Sequence, residues 1–145
     1  MIALLQRVTE AAVCVDGSEI ARIGRGLLAL VAVHRDDEPR DIERLAERIL
    51  TYRLFPDAHD RMNKSVLEIG GGLLLVPQFT LAADTRKGTR ASFTRAAPAE
   101  IGEQYFESLV VRCRETLSAV ETGRFGASME VSLVNDGPVT FWLET

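Results

Sequence analysis

The N-terminal part of the chain shows the alternation of apolar and polar residues that is typical of strands. In the stretch AAVCVDGSEIARIG, apolar residues alternate on both sides of Asp16 and Gly17. Both residue types tolerate the positive φ angles that a two-residue hairpin turn requires. The run from Leu27 to Val33 is short and continuously apolar, as in a strand covered on both faces. We therefore predict a hairpin followed by a buried third strand.

Two later segments carry apolar residues at helical spacing. The first, DDEPRDIERLAERILTYRLF, is expected to start with Asp37 as N-cap and Pro39 in the first turn. A second helix is predicted from about Pro98 to Leu117. The residues expected to face the core are Ile42, Leu45, Ala46, Ile49 and Leu50 in the first helix, and Ile101, Tyr105, Leu109 and Cys113 in the second.

The remaining apolar runs indicate three more strands. They are GGGLLLVPQFTL, Met129 to Val134, and Val139 to Leu143, the last two joined by a turn-like Asn-Asp-Gly-Pro. The element order ββ-β-α-β-α-ββ predicts an α/β fold with a mixed, largely antiparallel sheet or partly closed β-barrel and two packed helices. With 145 residues, the chain is expected to form one domain, residues 1–145.

Composition and charge narrow the class of protein. The formal net charge of −4 argues against a general nucleic-acid binder, although DTRKGTRASFTR places four basic residues against one acid. We find no apolar run of the roughly 20 residues that span a bilayer and no signal peptide. Cys14 and Cys113 lie in apolar patterns, as buried thiols do in a reducing compartment. We expect a soluble, cytoplasmic protein with no membrane partner.

The inventory of reactive side chains excludes several mechanisms. The two histidines, His34 and His59, stand in no motif with Ser or Cys, so no triad is readable. No spacing of Cys, His or carboxylates matches a metal site, and the glycines near Gly24 and Gly26 lack the Lys-Ser or Lys-Thr of a phosphate loop. We therefore expect neither a metal nor a cofactor.

Two short stretches remain unusual: PQFTL, from Pro77 to Leu81, and NDGPVT, from Asn135 to Thr140. Together with QRV near the N-terminus, MN at 62–63, TGRFGA at 122–127 and the closing FWLE, they make the chain resemble the D-aminoacyl-tRNA deacylase family over its whole length. The resemblance implies a homodimeric editing enzyme that hydrolyses the ester of D-aminoacyl-tRNA. It also implies that Gly137 and Pro138, joined by a cis peptide bond, enter the partner's active site and reject L-aminoacyl groups sterically.

Several site residues follow from the motifs. Gln78, Phe79 and Thr80 are the expected catalytic residues, with the main-chain N–H groups of Phe79 and Thr80 as candidate oxyanion donors. Thr80 Oγ could instead act as a nucleophile, but no base is visible to activate it. In the family, the 2′-hydroxyl of the terminal adenosine is held to assist the reaction. The family usually carries Ser where this chain has Pro77, so no role of that Ser transfers to this chain.

Other residues are expected to support the site or hold the RNA. Arg7 and Asn135 are expected to brace the Gly-Pro segment, and Arg86, Lys87 and Arg90 to contact tRNA phosphates near the acceptor end. Because glycine has no side chain to exclude, glycyl-tRNA is also an expected substrate. Two alternatives stay open: a non-catalytic RNA-binding dimer, and a small-molecule D-amino acid esterase.

Overall fold

The computed structural model describes all residues from Met1 to Thr145. It contains eight strands, two α-helices and one short 3-10 helix. In chain order these are β1 (Ile2–Val15), β2 (Ser18–Ile23), β3 (Gly26–Ala32), α1 (Pro39–Thr51), β4 (Phe55–Pro56), β5 (Met62–Lys64), β6 (Gly72–Pro77), the 3-10 helix (Phe79–Ala82), α2 (Ala99–Arg114), β7 (Val120–Thr122) and β8 (Glu130–Glu144).

Six of the strands form one mixed sheet that curls toward a barrel. Its order is β2-β1-β3-β6-β7, and β8 pairs with β1 along almost the full length of that strand. The β3–β6 and β6–β7 pairs are parallel, whereas β1 is antiparallel to β2, β3 and β8. The predicted mixed, largely antiparallel sheet with two helices is confirmed. The separate β4–β5 hairpin and the three-residue β7 were not predicted.

The sheet is covered on both faces, which explains the apolar run in β3. Leu27 and Leu73 lie in a large core cluster shared with the two helices, whereas their neighbours Leu28 and Leu74 lie in a second cluster on the other face. Alternate residues of a strand point to opposite faces, so a strand buried on both sides reads as a continuous apolar run. All five predicted core residues of α1 are buried.

The first hairpin also forms as the sequence predicts. Asp16 and Gly17 have φ angles of 50° and 75°, and the flanking Val15 and Ser18 pair with each other. Two consecutive positive φ angles are the signature of the turn whose twist matches that of the flanking strands. β1 and β2 are thereby set in antiparallel register at one end of the sheet.

The start of α1 differs from the prediction. The N-cap is Glu38, whose N–H donates to Asp41 Oδ2 at 2.8 Å and so lowers the pKa of Asp41. Asp37 instead accepts hydrogen bonds from the N–H of His34 at 2.6 Å and from the ammonium group of Met1 at 2.5 Å. A carboxylate just before a helix can bond backward to the preceding loop as well as forward to the helix, and here the backward bonds form.

The buried face of α2 is rotated from the predicted stripe. Ile101 is 42% exposed, and the buried residues are Gly102, Phe106, Leu109, Val110 and Cys113. A strict four-residue repeat advances about 40° beyond a full turn at each step, so it drifts off a single face within a few turns. Of the predicted stripe, Leu109 and Cys113 are buried and Tyr105 packs half-buried against the core, whereas Ile101 does not.

Two predicted strand boundaries are also wrong. β6 ends at Pro77, and the residues from Phe79 to Leu81, which we predicted to continue the strand, belong to the 3-10 helix, which ends at Ala82. The C-terminal segment is one strand, β8, and not two strands joined by a turn. Both corrections fall within the two unusual stretches, PQFTL and NDGPVT, and local departures from regular structure are common in such segments.

The structure also bears on membrane-spanning helices and on the two cysteines. Neither helix is long and apolar enough to cross a membrane. Both cysteines are free thiols, and burial raises the pKa of Cys113 to about 12. Cys14 is half-buried.

Candidate active site

The Asn-Asp-Gly-Pro segment is a bulge inside β8 and does not reverse the chain. Asn135 pairs with Val8 of β1, and Thr140 pairs with Gln6. The four residues between them, Asp136–Val139, therefore face a single residue of β1. We call these four residues the Gly-Pro bulge. Its Gly137–Pro138 peptide bond is cis, and both residues are exposed.

The residue of β1 that faces the bulge is Arg7, and it braces the bulge from below. Its Nε donates to the main-chain oxygen of Asp136 at 3.1 Å and lies 3.1 Å from that residue's carboxylate. Its Nη1 donates to the main-chain oxygen of Leu54 at 2.7 Å. The Arg7 side chain is only 12% exposed, so these charge-assisted bonds are shielded from water.

Gly137 is required at its position for two reasons. Its φ angle is +129°, which side chains other than hydrogen rarely allow. A Cβ placed there would also lie 2.7 Å from Cγ2 of Val139 and 3.1 Å from Nη2 of Arg7. The main chain at Gly137 therefore lies too close to Arg7 and Val139 to leave room for a side chain.

Gln78 and Phe79 lie just past the carboxyl end of β6, on the wall of an apolar cavity. This cavity has a volume of about 580 Å³ and a mostly apolar lining that includes Phe93, Phe125 and Met129. Phe79 is 57% exposed, and its ring packs against that of Phe93 with centroids 5.1 Å apart. We call this cavity the Phe79 pocket.

The 3-10 helix leaves two main-chain donors free beside the pocket. Neither the N–H of Phe79 nor that of Thr80 donates a hydrogen bond within the chain, whereas the N–H of Gln78 donates to the main-chain oxygen of Val31 at 2.6 Å. The first N–H groups of a helical turn have no partner inside the turn. Two adjacent free donors at the edge of an apolar pocket suit the binding of an oxyanion.

The side chains near these donors provide no general base. Gln78 Nε2 donates to Thr80 Oγ1 at 2.5 Å, and no carboxylate or imidazole is hydrogen-bonded to either side chain. His34 lines a smaller cavity of about 320 Å³ that also includes Thr80, but its Nε2 makes no hydrogen bond and lies 3.5 Å from Glu144 Oε1. No group of three His, Cys, Asp or Glu side chains could hold a metal ion.

The predicted RNA-contacting residues lie on the exposed loop after the 3-10 helix. Arg86 already forms an ion pair within the chain, because its Nε and Nη2 donate to the two oxygens of Asp84 at 2.9 and 2.6 Å. The Arg86 hydrogen bonds hold the pKa of Asp84 well below its usual range. Lys87 and Arg90 make no hydrogen bond or ion pair within the chain and are exposed, so they are the two free cations of the predicted three.

The structure separates the predicted site residues into two groups within one chain. Arg7 pairs with Leu27 of β3, and Leu27 pairs with Leu73 of β6, so the Gly-Pro bulge is level with Leu73. Gln78 follows five residues after Leu73, just past the end of β6, which is about 16 Å in the strand direction. Gly137 and Pro138 do not line the Phe79 pocket of their own chain.

Comparison with known proteins places this architecture in a family. A D-aminoacyl-tRNA deacylase from Alkalilimnicola ehrlichii is 64% identical, with 99% of this chain and 96% of the relative covered, and one from Methylococcus capsulatus is 61% identical, with 99% and 94% covered. A solved structure of the c-Myc DNA Unwinding Element Binding Protein has a TM-score of 0.96 at 38% identity and covers 100% of this chain and 99% of its own. The family model described as D-Tyr-tRNA(Tyr) deacylase matches residues 4–144.

The chain belongs to the D-Tyr-tRNA(Tyr) deacylase family. The resemblance inferred from PQFTL and NDGPVT is therefore confirmed. Its two motifs contribute the free donors beside the Phe79 pocket and the Gly-Pro bulge.

Pro77, the departure from the deacylase motif, fits its position in β6. The N–H of Gln78 bonds toward β3, so the nitrogen of Pro77 faces the opposite neighbour, β7. β7 ends at Thr122, opposite Leu75, so the β6–β7 ladder stops two residues before Pro77. Proline is tolerated where the missing N–H has no ladder partner, so it costs β6 no hydrogen bond.

Sequence reasoning missed most of the pocket lining of this deacylase family member. Phe93 comes from the loop before α2, and Phe125 and Met129 come from the segment between β7 and β8. The one available signal was TGRFGA, which contains Phe125 and begins with Thr122 and Gly123. A Cβ on Gly123 would lie 2.8 Å from Sδ of Met129, so this glycine allows Met129 to reach the pocket wall.

Proposed function

We propose that this protein hydrolyses the ester bond of D-aminoacyl-tRNAs, releasing free amino acid and tRNA, and that it acts as a cytoplasmic homodimer. The observation that carries the proposal is that the two parts of the site lie at opposite ends of the sheet. Free oxyanion donors lie beside an apolar pocket at one end, and the main chain braced by Arg7 lies about 16 Å away at the other. Curated relatives up to 64% identical are named D-aminoacyl-tRNA deacylase, which supports the same activity.

A dimer would complete the site. Because Gly137 and Pro138 are too far from Gln78 and Phe79 in their own chain, the bulge of one protomer would reach the Phe79 pocket of its partner. A two-fold axis makes this exchange reciprocal, so each dimer has two composite sites. The exposed Val134 and Trp142 on β8, 50% and 49% accessible in the single chain, offer apolar surface for such a contact.

Chiral selection in this arrangement is steric. The main chain of the partner's bulge would form a wall beside the α-carbon of the aminoacyl group. An L-residue directs its side chain into that wall, whereas a D-residue presents only hydrogen. A ten-thousandfold preference needs about 5.5 kcal/mol, whereas one methylene in a soft pocket supplies only about 1–3 kcal/mol. A braced wall can meet this requirement, and the bonds from Arg7 provide the bracing.

Hydrolysis of the aminoacyl ester requires little from the protein beyond positioning the reacting groups. Water attacks the ester carbonyl, and the N–H groups of Phe79 and Thr80 stabilise the oxyanion that develops. Gln78 holds the Thr80 hydroxyl through a 2.5 Å hydrogen bond, which leaves Thr80 a positioning role. With no carboxylate or imidazole hydrogen-bonded nearby, the 2′-hydroxyl of the terminal adenosine is the proton carrier nearest the ester.

Transfer RNA would be held near its acceptor end by electrostatic contacts. Lys87 and Arg90 are exposed and unpaired on the loop that follows the free donors, and Arg86 adds a cation that Asp84 partly neutralises. Phosphate contacts of this kind give affinity without sequence preference, which suits an enzyme that must accept many tRNAs.

The experiment is a deacylation assay on D-tyrosyl-tRNA, L-tyrosyl-tRNA and glycyl-tRNA. We expect fast release from the D-ester, release from the glycyl ester because glycine has no side chain to clash, and at least a thousandfold slower release from the L-ester, in line with a clash of about 4 kcal/mol. Equal rates for D and L would contradict the proposal. Cleavage of D-tyrosine methyl ester as fast as of D-tyrosyl-tRNA would identify a small-molecule esterase instead.

One observation favours a second candidate, nucleic-acid binding without catalysis. A solved structure 38% identical to this chain is named as a DNA-unwinding-element binding protein. Such a role would use the basic loop but not the Gly-Pro bulge. Binding of uncharged nucleic acid together with no turnover of any aminoacyl ester would favour it.

A further inference from the structure

The Thr140 hydroxyl is the junction of a hydrogen-bond network that closes the Gly-Pro bulge. Its Oγ1 accepts from Nδ2 of Asn135 at 2.9 Å and from Nε2 of Gln6 at 3.4 Å. The other end of the Asn135 amide, Oδ1, accepts from the N–H of Val139 at 3.1 Å. A single side-chain network therefore ties the residue before the bulge to the two residues at its end.

This network lies at the point where the ladder cannot fix the main chain. Asn135 and Thr140 are the last residues of β8 that pair with β1 on either side of the bulge, and Val139 has no partner in β1. Arg7 holds only the first residue of the bulge, through the main-chain oxygen and the carboxylate of Asp136. The positions of Gly137 and Pro138 thus depend on Arg7 at one end and on the Asn135–Thr140 closure at the other.

We propose that Thr140 is a positioning residue that sets the chiral selectivity of the site by fixing the far end of the Gly-Pro bulge. This inference rests on the proposed function and deepens it: Arg7 supports the start of the main-chain wall, and the Thr140 hydroxyl supports its end. Thr140 acts through Asn135 and the main chain and does not contact the reacting ester.

The chemistry of a hydroxyl explains the residue type. Its oxygen has two acceptor lone pairs, and Asn135 and Gln6 donate to that oxygen from the two strands. Serine would provide the same oxygen, whereas valine has nearly the same shape and none. If the acceptor is lost, Nδ2 of Asn135 has no partner in the chain, and the amide is free to turn away from Val139.

The experiment compares Thr140→Val with Thr140→Ser, using Ser132→Ala as the matched control. Ser132 is an exposed hydroxyl residue on the same strand, and it makes no side-chain hydrogen bond. The readout is the ratio of kcat/KM for D-tyrosyl-tRNA to that for L-tyrosyl-tRNA, and thermal unfolding checks that each variant is folded.

We expect Thr140→Val, which removes both hydrogen bonds to the hydroxyl, to lower the D-to-L ratio about tenfold. Thr140→Ser should stay within about twofold of wild type, and Ser132→Ala should leave the ratio unchanged. A folded Thr140→Val protein with the wild-type ratio would overturn the inference, as would a serine variant no better than the valine variant.

Gln6→Met supplies a second test that does not depend on the folding of Thr140→Val. It removes only the longer of the two bonds to the hydroxyl, so we expect a loss in the ratio of about threefold. When it is combined with Thr140→Val, no further loss is expected, because both changes act through the same oxygen. A wild-type ratio in Gln6→Met would contradict the inference. Absence of D-tyrosyl-tRNA turnover in the wild-type protein would instead contradict the proposed function.

Discussion

The guanidinium of Arg7 donates to the main-chain oxygen of Asp136 at 3.1 Å, directly beside the Gly137–Pro138 peptide. The same side chain donates to the main-chain oxygen of Leu54 at 2.7 Å, and Leu54 is fully buried. An exposed bulge is thereby connected through one arginine to the packed interior. A planar guanidinium can hold two carbonyl groups in fixed directions, which a lysine cannot do. In the proposed function, this connection stiffens the short piece of main chain that forms the wall.

Substituting Gly137 with alanine tests the wall directly. The new Cβ would lie 2.7 Å from Val139 Cγ2 and 3.1 Å from Arg7 Nη2, at a φ of +129° that alanine rarely adopts. The bulge must therefore shift away from its brace. We expect kcat/KM for D-tyrosyl-tRNA to fall at least about tenfold, since a misplacement of about 1 Å is enough for losses of that order.

The control for this substitution is Gly24→Ala. Gly24 has open space around the position of a Cβ and no positive φ angle. Its variant should keep wild-type deacylation. If Gly137→Ala also kept it, the bulge would have no part in the activity.

Removing one main-chain donor tests the oxyanion assignment. Phe79→Pro deletes the free N–H at the first position of the 3-10 helix, where proline's fixed φ is tolerated. We expect kcat to fall about 100- to 1000-fold, as for other losses of a single oxyanion donor. Phe79→Leu keeps the N–H and removes only the ring contact with Phe93, so it should lose less than about tenfold. Equal losses in the two variants would assign the role to the ring.

The basic loop should govern affinity and its dependence on salt. Because Lys87 and Arg90 are free whereas Arg86 is bound to Asp84, the Lys87→Ala/Arg90→Ala variant should weaken tRNA binding more than Arg86→Ala does. Each lost phosphate contact should reduce the slope of log K against log salt by about 1. Arg44→Ala, which removes an exposed arginine of α1, is the control and should change neither quantity. An unchanged slope in the double variant would exclude the loop from the RNA interface.

Pro77 should be neutral for catalysis. Its nitrogen faces β7 beyond the end of that strand, so replacing it with the family's serine restores no ladder bond. We expect Pro77→Ser to change kcat/KM for D-tyrosyl-tRNA by less than about threefold, below 1 kcal/mol. A hundredfold gain in the serine variant would mean that a side-chain hydroxyl carries the reaction and would refute the assignment to main-chain donors.

The fold was predicted well in segments where the apolar residues followed a single period. The alternation around Asp16-Gly17, the continuous run of β3 and the helical spacing of α1 each had a single consistent reading, and each formed as predicted. The apolar residues of α2 fit two overlapping helical faces, and we predicted the face that includes Ile101 whereas the buried face includes its neighbour Gly102. Periodicity identifies an element reliably, but it fixes the orientation of a helix only when a single stripe is present.

The site was harder to predict because it depends on departures from regular structure. Motif residues identified the bulge and the donors, but the sequence alone suggested a turn between two strands and a strand continuing to Leu81. The Asn135–Thr140 closure and the bond from Arg7 to Leu54 join residues by geometry and not by spacing. The pocket lining from Phe93 to Met129 likewise depends on how loops pack, which no periodic pattern encodes.

The central claim is that each site combines the Phe79 pocket of one protomer with the Gly-Pro bulge of its partner, and mixed dimers of two defective variants test it most directly. Co-expressing Gly137→Ala with Phe79→Pro under separate affinity tags yields dimers in which one of the two sites has both parts intact. We predict that equal mixing restores about a quarter of wild-type D-tyrosyl-tRNA deacylation, because half of the dimers are mixed and each has one intact site. If the purified mixed dimers are as inactive as the two parents, the parts act within one chain and the claim is contradicted.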